Sequence, residues 1–279
     1  MPGSERPARL RGGEGEAGQS RGRAGRISAA LIYGALCHGL FGLAILSMTG
    51  GMYLGMTWAA GRLEAPWSGL ANAALLLQFA VGHSVLLAPA GRAFLMRLAP
   101  GAFARDMQPT TYVIVASLQL LALFVLWTPS GIVWWRAEGA ALWAITALNL
   151  ACWALLGKAI LDAGFELQSG LLGWWSVLRN RRPVYPDMPE RGLFRLCRQP
   201  IYVAFALGCW TVPTWTPDQL AVATTLTAYC LIGPLHKEAR FRSIYGARFD
   251  AYAARVPYWL PWPRRRDAAR AKIEAGDGH

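Results

Sequence analysis

The sequence predicts an all-α polytopic membrane protein with about six transmembrane helices and a C-terminal interfacial amphipathic helix. Three observations predict it. The chain is 54% hydrophobic and only 16% charged, whereas a soluble domain carries roughly a quarter charged residues. Apolar runs fall at 27–50, 69–89, 111–128, 140–164, 201–215 and 219–235; crossing a bilayer takes about 20 apolar residues, with a range near 17–25. The basic residues gather in alternate connections between these runs, as the positive-inside rule requires.

Residues 1–26 carry six Arg among Gly and Glu, without apolar periodicity, and read as a disordered Arg/Gly-rich cytoplasmic tail. Gly13-Glu14-Gly15-Glu16-Ala17-Gly18 matches G-x-G-x-x-G, but no strand precedes it, so a dinucleotide site is excluded. The first run is too long for a signal-peptide core, and no A-x-A site follows, so it stays in the protein. A membrane domain is expected over 27–263, and 264–279 reads as a charged C-terminal tail.

The loops after the first and third runs hold only Arg62 and Arg136. The loop after the second holds Arg92, Arg97 and Arg105, and the loop after the fourth holds six Arg between Arg179 and Arg198. More basic residues follow the sixth run, from Lys237 to Arg264-Arg265-Arg266. Six spans with both termini in the cytoplasm satisfy this pattern. The last two runs are short, and Pro213-Thr214-Trp215-Thr216-Pro217 between them reads as a tight hairpin turn. Gly233-Pro234 is expected to end or bend the sixth helix. Beyond it Phe241, Ile244, Tyr245, Phe249, Tyr252 and Val256 recur at helical spacing between arginines, an amphipathic segment suited to an anionic lipid surface.

The net charge of +12 comes from 28 basic residues, 25 of them Arg. Because these are interleaved with long apolar runs, they imply contact with membrane lipid and no nucleic-acid partner. The five Cys and four His show no C-x-x-C or H-x-x-x-H spacing, so neither a metal site nor a disulfide framework is expected.

Three places carry chemistry. Arg198-Gln199-Pro200-Ile201-Tyr202 opens the fifth helix, with Pro suited to the first helical position and the free N–H groups behind it suited to an anion. His236-Lys237-Glu238 follows the sixth run, so Glu238 returns to the same membrane face as Arg198. Inside the spans, His83 has little structural use, while Lys158 and Asp162 are spaced i,i+4 as an ion pair.

Gly192-Leu193-Phe194-Arg195, Arg198-Gln199-Pro200-Ile201-Tyr202, Glu238-Ala239-Arg240-Phe241, Tyr245-Gly246, Phe249, Tyr252 and Arg255-Val256-Pro257 form one pattern. It resembles the membrane methyltransferases of the isoprenylcysteine carboxyl methyltransferase superfamily. Gly82-His83-Ser84, Thr111-Tyr112-Val113 and Phe165-Glu166-Leu167 extend the likeness towards its methanethiol S-methyltransferase and NnrU-like branch. The resemblance spans about residues 70–261.

It implies a multi-pass bacterial inner-membrane enzyme that uses S-adenosylmethionine to methylate a small or lipid-borne thiol such as methanethiol. Arg198, Gln199, Pro200, Tyr202, Glu238 and Tyr252 are the implied cofactor-binding residues, and His83 is the candidate general base. A carboxylate, amine or lipid-headgroup acceptor, or a non-catalytic NnrU-like accessory role, are the alternatives. The chain departs from the pattern at Gln199, where the family has His, at Ala204, where it has Gly, and at Lys237, where it has the first Glu of a pair. The acceptor's identity and the oligomeric state stay open at the level of sequence.

Overall fold

The computed structural model describes residues 11–259, with side chains from residue 22 onward; the expected tail at 264–279 and the end of the domain at 260–263 lie outside the described residues. The fold is all-α apart from one two-stranded ribbon. Its helices are α1 (Arg11–Tyr53), α2 (Trp67–Val85), α3 (Pro89–Leu98), α4 (Ala104–Val125), α5 (Gly139–Asp162), α6 (Phe165–Gln168), α7 (Leu171–Leu178), α8 (Pro200–Trp210), α9 (Pro217–Tyr245) and α10 (Ala247–Arg255). The ribbon joins β1 (Trp135–Arg136) to β2 (Thr214–Trp215).

The apolar runs explain the long helices: α1, α2, α4 and α5 form on four of the six expected runs. Among the described residues three helices can cross a membrane by length and composition, and a fourth span results if α2 and α3, bent by 97° at their junction, count as one. The fifth run differs from expectation. Helix α8 covers 11 residues, about 16 Å at 1.5 Å per residue, less than the hydrocarbon core of roughly 30 Å. The remainder of that run leaves the helix, with a bend at Pro213, so the expected hairpin turn is instead that bend, the strand β2 and the cap of α9. Thr216 supplies that cap, its hydroxyl accepting the Gln219 N–H at 2.9 Å.

Helix α9 runs unbroken through Pro234, where a break was expected. A proline removes one ladder hydrogen bond, and neighbouring elements make this tolerable in membrane helices; Pro234 is buried. Helix α1 begins at Arg11, inside the stretch whose composition reads as disordered, and residues 1–10 lie outside the described residues. Once the apolar helix behind it is formed, extending it backwards avoids the cost of a new nucleus.

The chain divides into two compact units. In the first, which holds 1–49, 69–127 and 166–185, Cys37, Val113 and Ile114 form one apolar cluster and Ala30, Ala99, Met107 and Val177 another. The Thr110 hydroxyl ties α4 to the start of α7, donating to the Gly170 carbonyl at 2.7 Å and accepting from the Trp174 N–H at 3.0 Å. Arg26 donates to the Val177 and Leu178 carbonyls, which is how an Arg satisfies the end of a helix.

The second unit holds 50–68, 128–165 and 186–279. At one end, three sequence-distant connections meet. Trp135 pairs with Trp215 across the ribbon, Thr216 donates its hydroxyl to the Gly55 carbonyl at 2.6 Å, and Asp218 accepts from the Ser130 backbone N–H at 2.9 Å. At the other end, α10 packs Phe249, Tyr252 and Val256 on Met188, so the apolar side of the expected amphipathic segment is spent partly on protein. Much of α5 faces outward, with Trp143, Leu148, Leu150 and Leu161 exposed. An exposed apolar face of that extent belongs in lipid, and the protein is a membrane protein.

Candidate functional site

The site is built at the start of α8, where a 3-10 turn over Gly192–Arg195 leads into Arg198 and Gln199. That turn is held from α5. The carboxylate of Asp162 pairs with Lys158, as the i,i+4 spacing predicts, and also accepts the Leu193 N–H at 2.9 Å. Gly192 permits this approach: its φ is +57°, and a Cβ there would lie 2.1 Å from Asp162 Oδ2.

Arg198 is a hub. Its Nε and Nη2 donate to the two Glu238 carboxylate oxygens at 2.8 and 3.2 Å. Its Nη1 donates to the Ala253 and Val256 carbonyls at 2.7 and 3.1 Å, closing the C-terminal end of α10. Its backbone N–H reaches the Pro257 carbonyl at 2.9 Å, and Tyr258 lies against the guanidinium at 5.3 Å. Such a bidentate pair combines strength with fixed geometry.

Gln199 is fully buried, 1% exposed. Its amide nitrogen donates to Glu238 Oε1 at 2.8 Å and its amide oxygen accepts from Lys237 Nζ at 3.2 Å. The Lys237 ammonium faces the rings of Phe194 at 5.4 Å, Tyr202 at 5.8 Å and Phe241 at 5.4 Å. Burial lowers its pKa to about 8, although Glu238 acts in the opposite direction. Tyr252 donates its hydroxyl to the Phe194 carbonyl at 2.8 Å, and burial pushes its pKa up. The sequence-predicted residues Arg198, Gln199, Pro200, Tyr202, Glu238 and Tyr252 therefore share one unit, and all but Pro200 take part directly in these contacts.

Comparison with known proteins is decisive for the family. Over 201 residues the chain is 30% identical to methanethiol S-methyltransferase 2 of Bradyrhizobium diazoefficiens, covering 71% of this chain and 75% of that protein. It is 30% identical over 209 residues to the methanethiol S-methyltransferase of Pseudomonas deceptionensis, covering 74% and 77%. The chain belongs to the methanethiol S-methyltransferase family. The enzyme of that name from Mycobacterium tuberculosis is 30% identical over 196 residues, covering 70% of this chain and 78% of its own. No family model matches the chain. No solved structure matches it either.

A methyltransferase of this family needs a methyl donor, and the donor set can be compared with S-adenosylmethionine. The chemistry suits a zwitterion with a cationic centre: a guanidinium, a carboxylate and three rings converge. The volume does not. The cavity among Phe194, Arg198, Gln199, Lys237, Glu238 and Tyr252 measures about 10 Å³, room for roughly one water molecule. In this conformation Arg198 and Glu238 bind each other, Lys237 lies among the rings, and the residues do not fit the cofactor. An apolar groove of about 480 Å³ lies beside Val203, Leu207, Trp210, Thr227 and Trp259.

His83, the remaining sequence-predicted residue, belongs to the first unit. Its Nε2 lies 2.8 Å from the Tyr112 hydroxyl, a hydrogen bond in which either partner can donate, and Phe79 stacks near its ring at 5.4 Å. Sequence reasoning named Gly82-His83-Ser84 and Thr111-Tyr112-Val113 separately, but not their meeting. It also missed Arg198 as the cap of α10, and Phe194 and Phe241 as ring neighbours of Lys237. Among the described residues, His, Cys, Asp and Glu form no group able to hold a metal ion.

Proposed function

We propose that this protein transfers a methyl group from S-adenosylmethionine to the sulfur of methanethiol, or of a comparably small or lipid-borne thiol, at the cytoplasmic face of a bacterial inner membrane. Family membership over about 71% of the chain carries this reading. The convergence of Arg198, Gln199, Tyr202, Glu238 and Tyr252 at one helix start supports it.

The chain's own residues have definable tasks in such a reaction. Once their mutual pair opens, Arg198 and Glu238 would hold the charged groups of the donor, and Tyr202 and Tyr252 would offer faces to its adenine or its cationic centre. Six spans with both termini inside remain part of the proposal, the fifth crossing being α8 completed by residues 211–216 beyond it. The meeting of Gly55, Trp135 and Thr216 supports it, because the three connections with few arginines share one end of the second unit.

A second reading, a catalytically silent accessory protein, has one observation in its favour: the Arg198–Glu238 pair is satisfied internally. Thermal unfolding in detergent with S-adenosylmethionine separates the two. A hundredfold excess over Kd stabilises by about 2.7 kcal/mol. Arg198→Ala should remove that gain and Arg62→Ala should leave it intact. Absence of any stabilisation at millimolar ligand, with no methyl transfer to methanethiol, favours the accessory reading.

A further inference from the structure

Lys237 is held in an unusual way for a lysine near a carboxylate. Glu238 follows it directly, yet the Glu238 oxygens are taken by Arg198 and Gln199. Among the described residues no ion pair forms at Lys237 within 4.0 Å. Its charge rests instead on one amide oxygen and three ring faces, at 5.4, 5.8 and 5.4 Å from Phe194, Tyr202 and Phe241. Ring faces attract cations through their quadrupole, and several rings around one centre form the cage that recognises onium groups. Phe194 is fixed, being 1% exposed and held through its carbonyl by Tyr252. The lysine is the flexible partner, on a stem of four carbons with rotatable donors. The small cavity beside it is lined by the same Phe194, Gln199, Lys237, Glu238 and Phe241. Turning Lys237 outward therefore merges the space it fills with that cavity.

We propose that Phe194, Tyr202 and Phe241 form a seat for an onium ligand, a sulfonium or a small quaternary ammonium, which Lys237 fills with its own ammonium in this structure. Lys237 is then an internal competitor, and its withdrawal opens the seat. The inference goes beyond the reading above: it concerns a small onium ligand and does not require the whole methyl donor to fit there.

The proposal entails a pH dependence. The groups around Lys237 are Glu238 and Arg240 on its own helix, Cys197 before α8 and Tyr202 on α8, with Arg198 and Tyr252 lining the same cavity. Burial pushes Cys197 and Tyr252 up. Lys237, with its pKa lowered to about 8, loses its charge as pH rises through that value and ceases to compete.

The test uses the full chain in detergent and two probes of similar shape, trimethylsulfonium and neutral tert-butanol, with binding followed by ligand-observed NMR. At pH 7, Lys237→Ala should bind trimethylsulfonium at least tenfold more tightly than wild type, with no such gain for tert-butanol. Adding Phe241→Leu should cancel the gain. Wild type should tighten about tenfold from pH 7 to pH 9, while Lys237→Ala stays flat. Equal trimethylsulfonium affinity in wild type and Lys237→Ala, or an equal gain for tert-butanol, overturns the proposal. If Lys237→Ala does not fold, the wild-type pH series decides alone, and a flat series overturns the proposal. Methyl transfer to methanethiol is measured alongside. Onium binding without transfer leaves the seat standing and removes the enzymatic reading; transfer without onium binding does the reverse.

Discussion

Replacing Gly192 by Ala probes the joint that positions the whole site. Gly192 has φ +57°, in the left-handed region that costs a residue with a Cβ roughly 1–2 kcal/mol. The added Cβ also meets Asp162 Oδ2 at 2.1 Å and its Cγ at 2.4 Å, so the carboxylate must move away. That breaks the 2.9 Å hydrogen bond from the Leu193 N–H, worth about 1.5–3 kcal/mol when the acceptor is charged. Together the two effects give a loss of about 2.5–5 kcal/mol. Equilibrium unfolding in mixed micelles, followed by Trp fluorescence, measures it. The decisive comparison is a double-mutant cycle with Asp162→Ala, which removes the collision and the acceptor. In that background Gly192→Ala should cost only the backbone strain of about 1–2 kcal/mol. An equal cost in both backgrounds refutes the claim that Asp162 packs on Gly192 to hold the turn before Arg198.

Other outcomes follow from the same geometry. Gln199→His should change the methyl-transfer rate less than about tenfold, or roughly 1.4 kcal/mol on the barrier, because a neutral imidazole can still donate to Glu238 and accept from Lys237; a gain of a hundredfold shows instead that charge or proton transfer is required there. Tyr252→Phe should lower stability by about 1–3 kcal/mol by orphaning the Phe194 carbonyl, which thermal unfolding can measure; no change means that the carbonyl finds another donor. Reporter fusions at residues 62, 136 and 215 should read as outside and those at 100, 185 and 270 as cytoplasmic; a cytoplasmic signal at 136 breaks the six-span topology.

Several elements were legible because their cause is local. The apolar runs at 69–89 and 140–164 fold as α2 and α5, and the Lys158–Asp162 spacing gives the ion pair found. Pro200 opens its helix as an N-terminal proline does,. The misses share a different origin. Pro234 was read by its local propensity, but tertiary packing carries α9 across it. The shortness of α8 is set by the pairing of Thr214–Trp215 with Trp135–Arg136, in which Trp135 meets a partner 80 residues further along (215 − 135), and which no local pattern announces. The same holds for the site. Arg198 and Glu238 were recognisable as complementary charges on one face, yet the capping of α10 by Arg198 depends on chain folding back from Ala253 and Val256. The Tyr112 partner of His83 likewise needs two helices to be brought together.

The central claim is catalytic, and transfer of a labelled methyl group from S-adenosylmethionine to methanethiol by the purified chain tests it most directly. Wild type should form labelled dimethyl sulfide, and Arg198→Ala, checked for folding by its Trp fluorescence, should fall to background. No product from folded wild type with millimolar donor and thiol, at pH 7 or pH 9, contradicts the account.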